Sequence, residues 1–113
     1  MAIVYIAGPF RGKNAKAVAD NVERARAVAY KVAKSGHVPL CTHSMYSTFD
    51  GTLTDKFWLE ATMKLLKKAD VVLMMPGWEK SAGSRAERDA ALRMGMPVLY
   101  HEDKSEGLRN LDA

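Results

Sequence analysis

Alternating apolar runs and amphipathic stretches predict an α/β protein built as a three-layer sandwich around a parallel sheet of four or five strands. Three observations carry that reading. Two short, wholly apolar runs, Ala2 to Ala7 and Val71 to Met75, are each cut off by a Gly-Pro or Pro-Gly pair. Continuous apolar segments of that length, rich in β-branched residues, suit strands buried on both faces. Between and after them lie segments with apolar residues at helical spacing, and strands alternating with helices give a parallel sheet. The class is flavodoxin- or Rossmann-like. The whole chain, residues 1–113, reads as a single domain, because it contains no repeat, linker or low-complexity tract.

The first element is the strand Ala2 to Ala7, ended by Gly8-Pro9 because proline cannot donate to a ladder. Phe10-Arg11-Gly12-Lys13-Asn14 then forms a loop with two cations beside a flexible glycine. A long helix follows, with Val18, Val22, Ala25, Ala29 and Val32 on one face and Ser35-Gly36 as its stop. His37 to Cys41, with Pro39 inside, reads as a second strand on the edge side. Thr42 to Thr54 is irregular and polar and reads as a long exposed loop. Asp55 to Lys68 reads as a helix with cations toward its C-terminal end. The Val71 to Met75 strand comes next, and Asp70 stands at its start, away from any site. Met96 to Tyr100 is expected as a fourth strand, and His101 to Ala113 as a terminal helix or tail.

Composition narrows the function classes. A net charge of +4 with basic and acidic residues interleaved fits a small anionic ligand, and no long Lys/Arg run points to a nucleic-acid polymer. The single cysteine, Cys41, precludes an intrachain disulfide, and no run approaches the ~20 apolar residues of a membrane span. A cytoplasmic protein with no membrane partner is expected. His37, His43 and His101 stand far apart with no ligand-spaced neighbour, so neither a metal nor another cofactor is expected.

The stretch that concentrates chemistry is Ala69 to Gly95. Ser81-Ala82-Gly83-Ser84 leads into a helical pattern, and a strand, a small-residue loop and a helix N-terminus together cradle an anion. Glu87 is placed beside that cradle. Two readings stay open on the residues alone. Ser84-Arg85-Ala86-Glu87 is a capping-box pattern, with Glu87 reaching back to the Ser84 backbone. The alternative is a carboxylate aimed at a ligand. In open parallel sheets ligands bind at the carboxyl ends of strands near the switch point, so Gly8 to Lys13 and Pro76 to Ser84 are expected to meet there.

Tyr5-Ile6-Ala7-Gly8-Pro9-Phe10-Arg11-Gly12, taken with Ser81-Ala82-Gly83-Ser84-Arg85-Ala86-Glu87, resembles the nucleoside 2-deoxyribosyltransferase-like superfamily, most of all its small phage and bacterial members of undefined activity. Pro-Gly-Trp at 76–78 and Gly-x-Pro-Val at 95–98 extend the match over most of the chain. The resemblance implies that Glu87 is a nucleophile toward C1′ of a nucleoside and that Tyr5 sits beside it. Ser81 stands where free-nucleoside transferases have an aspartate, which makes the chain similar to deoxynucleoside 5′-monophosphate N-glycosidases. By that likeness Arg11 and Ser81, with Gly12, would hold the phosphate, and Gly8, Pro9, Phe10, Gly83 and Ser84 would join them in binding the substrate. A departure is Thr62, where those relatives carry an aspartate.

The implied function is hydrolysis or transfer at the N-glycosidic bond of a (deoxy)nucleoside 5′-monophosphate. The alternatives are a non-catalytic nucleotide-binding or sensing module, which Thr62 favours, and a deoxyribosyltransferase on free nucleosides, which Ser81 disfavours. His43, Tyr46 and Trp78 are candidates for a base pocket; His43 and Tyr46 equally suit an exposed loop, and Trp78 equally suits packing on another chain. Trp58 reads as core or interface. The exposed-looking Trp and Met residues, with the habit of that superfamily, imply a homodimer or larger homo-oligomer.

Overall fold

A computed structural model of the chain describes residues 1–49 and 52–101. Four parallel strands, β1 (Ile3–Ala7), β2 (Val38–Leu40), β3 (Val71–Met74) and β4 (Val98–Tyr100), form one sheet in the order β2-β1-β3-β4. The helices are α1 (Ala15–Lys34), α2 (Thr42–Tyr46), α3 (Asp55–Leu66) and α4 (Ala82–Arg93). The three-layer α/β expectation is met with four strands. The terminal helix or tail expected over His101 to Ala113 falls, beyond His101, outside the described residues. None of the described helices is long and apolar enough to cross a membrane.

Side-chain alternation in the central strands builds two cores. Val4 and Ile6 of β1 join Val71 and Leu73 of β3 on the face covered by Ala25, Val28 and Val32 of α1. Tyr5 and Ala7 point the other way, with Val72 and Met74, onto Leu66 of α3 and Ala91 of α4. This parity puts the only aromatic of β1 beneath α4. Pro39 sits in β2 at the sheet edge, where a missing donor costs least. Asp70 Oδ2 accepts from the Ile3 N–H at 2.8 Å, tying the starts of β1 and β3 together at the end remote from the site, as its position predicts.

Each long helix is capped by a side chain from the preceding turn: Asn14 for α1, Thr54 for α3 and Ser81 for α4. Helix α3 stops at Leu66 rather than Lys68, because Lys68 and Ala69 turn back to donate to Leu65 and Leu66. At the end of α4, Gly95 takes φ +71° while its N–H and that of Met96 return to Leu92 and Ala91. This Schellman closure uses Met96 as helix punctuation and delays β4 to Val98.

The largest departure lies in Thr42 to Thr54. Where a long exposed loop is expected, α2 forms and continues into a 3-10 turn, Ser47–Phe49. Thr, His, Ser and Tyr are weak helix formers, so propensity carries no signal. Burial of Thr42 and His43 and contact of Tyr46 with Trp58 hold the turn in place instead.

Where β1 and β3 end, their exits press together: a Cβ on Gly8 would lie 2.8 Å from Met75 Cβ and 2.9 Å from its Sδ. We predict that Gly8→Ala destabilises the fold by about 1–3 kcal/mol through overpacking, read as a lowered midpoint in urea denaturation. An unchanged midpoint would show that the two exits are free to separate.

Candidate functional site

The strand order reverses direction of winding between β1 and β3, and their carboxyl ends open into a cleft of about 960 Å³. Gly8 to Arg11 and Pro76-Gly77 form its two shoulders, the first turn of α4 closes one end, and α2 with α3 supplies the opposite wall. Glu87 lies on its floor.

The first turn of α4 corrects the capping-box reading. Ser81, not Ser84, is the N-cap: its Oγ accepts from the Ser84 N–H at 3.2 Å and from the Ser84 hydroxyl at 3.0 Å. Glu87 therefore sits one turn deeper than a capping box requires. Helical spacing turns Ser84, Glu87 and Ala91 inward together, and the Glu87 carboxylate meets Tyr5, whose hydroxyl donates to Oε2. Both groups are buried, Glu87 at 8% exposure and Tyr5 at none.

Burial sets the electrostatics of the pair. Desolvation raises the Glu87 carboxyl above its ordinary value, opposed by the Tyr5 hydrogen bond, the nearby His43 and the Thr62 hydroxyl. Tyr5 is raised well above the usual phenol range, first by burial and then by the negative charge of Glu87, so it stays a proton donor at neutral pH. Thr42 and Thr62 hydroxyls reach the Tyr5 phenol from α2 and α3, and Thr62 also donates to the Leu59 carbonyl at 3.0 Å. The residue that departs from the resembled pattern thus stands directly beside the carboxylate.

The loop after β1 is held by its carbonyls. His43 Nε2 lies 3.0 Å from the Gly8 oxygen and 3.1 Å from the Pro9 oxygen, and two carbonyl acceptors require that nitrogen to carry the proton. Burial pushes His43 down, but the neighbouring Cys41 thiol, the Gly8 carbonyl and the charge of Glu87 together hold it above its usual range. From the other flank, Asn21 Nδ2 donates to the oxygens of Phe10 (3.0 Å) and Arg11 (3.1 Å). Four consecutive carbonyls are fixed by two side chains.

The structure brings Tyr5 and Glu87 into contact and gathers Gly8, Pro9, Phe10, Arg11, His43, Tyr46, Ser81, Gly83 and Ser84 around the cleft. Arg11 stands at the mouth and is ion-paired with Asp55 of α3. Gly12 does not line it; a Cβ there would lie 2.6 Å from Ala17 Cβ, so that glycine serves the approach of the loop to α1. Trp78 also stays outside: Arg88 stacks on it 4.9 Å from the ring centre and donates to the Tyr100 hydroxyl at 2.7 Å. Trp58 instead enters the wall, packed against Tyr46, Phe49 and Phe57. Both tryptophans are half-buried and engaged within the chain, which removes part of the motive for expecting an assembly.

Sequence reasoning passes over Asn21, Arg24, Lys56, Trp58 and Lys80, all of which line the cleft. Asn21 carried a signal: it is a polar residue on the stripe of Ala25, Val28 and Val32, four positions before Ala25.

A buried, tyrosine-held carboxylate thus lies below a cation-rimmed cleft at the carboxyl edge of the parallel sheet of an α/β domain. A family model described as Domain of unknown function (DUF4406) matches residues 2–100, and the chain belongs to that family. No curated protein matches it.

Because the folded-state pKa of Glu87 is raised, its favourable contribution is present below the unfolded pKa and is lost as pH rises through the folded one. Glutamine is neutral throughout and still accepts from Tyr5. Glu87→Gln should therefore melt higher than the parent, by a margin that widens from about pH 4, near the ordinary glutamate value, to neutrality. A margin independent of pH in thermal scans would show that Glu87 titrates normally.

Proposed function

We propose that the protein is a nucleotide N-glycosidase or glycosyl transferase, acting on (deoxy)nucleoside 5′-monophosphates with Glu87 as nucleophile. The observation that carries this reading is the buried Glu87 carboxylate held through one oxygen by the Tyr5 hydroxyl, in a cleft whose other polar groups suit an anion. The likeness of its two loops to the deoxyribosyltransferase-like superfamily supports the same reaction class.

In this reading the Glu87 oxygen not held by Tyr5 attacks C1′ while the C1′–N bond breaks, and the bonding pair leaves with the base, which takes up a proton. The glycosyl ester so formed is opened when water, or a second base, attacks C1′, loses a proton and returns the carboxylate. Two inversions give net retention and split one difficult displacement into two. Tyr5 holds the carboxylate in its attacking geometry and offsets part of the rise that burial imposes on its pKa. The phosphate lies against Arg11 and the first turn of α4, where the Ser81 cap leaves the Ala82 and Gly83 N–H groups for it. A side chain on Gly83 would meet no protein atom within 4 Å, so packing does not require glycine there, whereas close approach of a ligand to the backbone does. Anchoring the phosphate away from the reacting carbon uses remote binding energy to align C1′.

The deciding experiment incubates the protein with a panel of ribo- and deoxyribonucleoside monophosphates and measures released base by chromatography. Release from at least one is expected, together with a loss of at least ~10²-fold on Glu87→Gln, the scale of a positioned catalytic group. Parent-rate release by Glu87→Gln would falsify the nucleophile assignment. Tyr5→Phe should move the acid limb of the pH–rate profile upward, because the hydrogen bond that lowers the Glu87 pKa is gone. Arg11→Ala should weaken monophosphate binding by about 1.5–3 kcal/mol in calorimetry while leaving the nucleoside nearly untouched.

Binding without base release from any monophosphate would support the sensing-module alternative. Thr62 beside Glu87, in place of an acid, is the observation that favours it.

A further inference from the structure

We propose that Arg24, oriented by Asn21, is a second anchor for the substrate's anionic group, and that Asn21 is the positioning residue linking this anchor to the loop after β1. The inference rests on the reading of the cleft as a nucleotide site and deepens it by adding a cation that neither the loop motifs nor the helix N-terminus supplies.

The argument begins with Asn21. It is a buried polar residue on a helix face otherwise given to Ala25, Val28 and Val32, a placement that costs stability unless its polar atoms are used. All of its side chain is in use. Nδ2 donates to the carbonyls of Phe10 and Arg11, and Oδ1 accepts from Arg24 Nη2. Arg24 lies one turn further along α1, on the same side, and lines the cleft with Arg11. An amide that bridges the backbone of Arg11 to the guanidinium of Arg24 fixes the relation between the two cations.

Charge and geometry then favour Arg24 as a ligand group. Asn21 takes one N–H and leaves the remaining fork of donors, the arrangement suited to phosphate oxygens. Arg11 is already ion-paired with Asp55 across the mouth, so an incoming dianion competes with a carboxylate for that cation. Asn21, by contrast, is neutral. Binding at Arg24 displaces no counter-charge from it, and the side chain is held before the ligand arrives, which lowers the entropy lost on binding. Lys56 and Lys80 also stand on the cleft, but neither is tethered to the loop that carries Arg11.

The test compares the parent protein with Arg24→Ala, Arg24→Lys, Asn21→Ala, Asn21→Asp and the double variant Asn21→Ala/Arg24→Ala. Affinities for inorganic phosphate, for a nucleoside 5′-monophosphate and for the matching nucleoside are measured by calorimetry. Arg24→Ala should weaken both phosphate-bearing ligands by roughly tenfold and leave the nucleoside unchanged. Lysine should restore part of the loss, since it keeps the charge but not the fork. Arg24 is exposed, so its variants test the anchor even where an Asn21 variant fails to fold. In Asn21→Asp the acceptor remains but both donors are gone. The freed loop should weaken monophosphate affinity and raise KM with little change in kcat.

The double variant should lose less than the sum of its single losses, the mark of two residues acting as one unit. Monophosphate and phosphate affinities unchanged by Arg24→Ala, in a parent that binds them, would overturn this inference and leave the nucleotide reading standing. Phosphate binding lost on Arg24→Ala, in a parent that releases no base from any monophosphate, would keep the anchor and remove the glycosidase reading. A parent that binds no phosphate compound overturns both.

Discussion

The hydrogen bond from Tyr5 to Glu87 is the constraint on which the rest of the site depends. It joins the central strand to a helix 82 residues away and crosses the interior between them. A buried ionised carboxylate is costly unless its charge is met by donors. Here the carboxylate meets the Tyr5 phenol, kept protonated by its own burial, and the Thr62 hydroxyl from α3, with the charge of His43 from α2 nearby. One strand and two helices, β1, α2 and α3, each contribute one of these groups. The carboxylate is thereby kept in place without a full counter-ion, which leaves its charge available to a ligand.

That requirement explains the shape of the fold around the cleft. Gly8 permits β1 and β3 to converge where they end, and the Tyr5 side chain lies against the second turn of α4, which carries Glu87. The loop that follows cannot satisfy its own carbonyls in so tight a turn. His43 and Asn21 do so from either side, two carbonyls each. Both residues are buried and polar, and both lie in helices whose other inward positions are chosen for packing or for this same network. Backbone satisfaction and site geometry are met by the same two side chains.

The fold was legible because its signal is hydrophobic and repetitive. The runs at 2–7 and 71–75 have the length and apolar continuity of central strands, and Gly8-Pro9 and Pro76-Gly77 mark their ends by local stereochemistry alone. Tyr5, Glu87 and the two exit loops were legible too, since strand ends and helix starts are fixed by the same punctuation. Helix α2 was not. Four of its five residues are weak helix formers, and what holds them is contact with Gly8, Pro9 and Trp58, which are distant in sequence. The capping pattern at Ser84 misled for a related reason: Ser81 and Ser84 both suit an N-cap, and only the path of the chain out of Gly77 selects the first. Trp78 was drawn away from the cleft by Arg88 and Tyr100, a three-way stack invisible to spacing.

The separation of charge within the cleft says what kind of ligand suits it. One carboxylate lies on the floor, buried, while Arg11, Arg24, Lys56 and Lys80 stand around it with Asp55 as a partial counterweight. A simple anion would be drawn to the rim and repelled by the floor, and a simple cation would be drawn past an unfavourable rim. A molecule with an anionic end and, a few bonds away, a carbon that gains positive character satisfies both regions at once. A sugar carrying a phosphate at one end and a departing base at C1′ has that distribution, and it has it most strongly as the C1′–N bond breaks. Under the function proposed above, the field of the cleft would match the moment of bond cleavage better than the resting ligand, which is the electrostatic condition for catalysis.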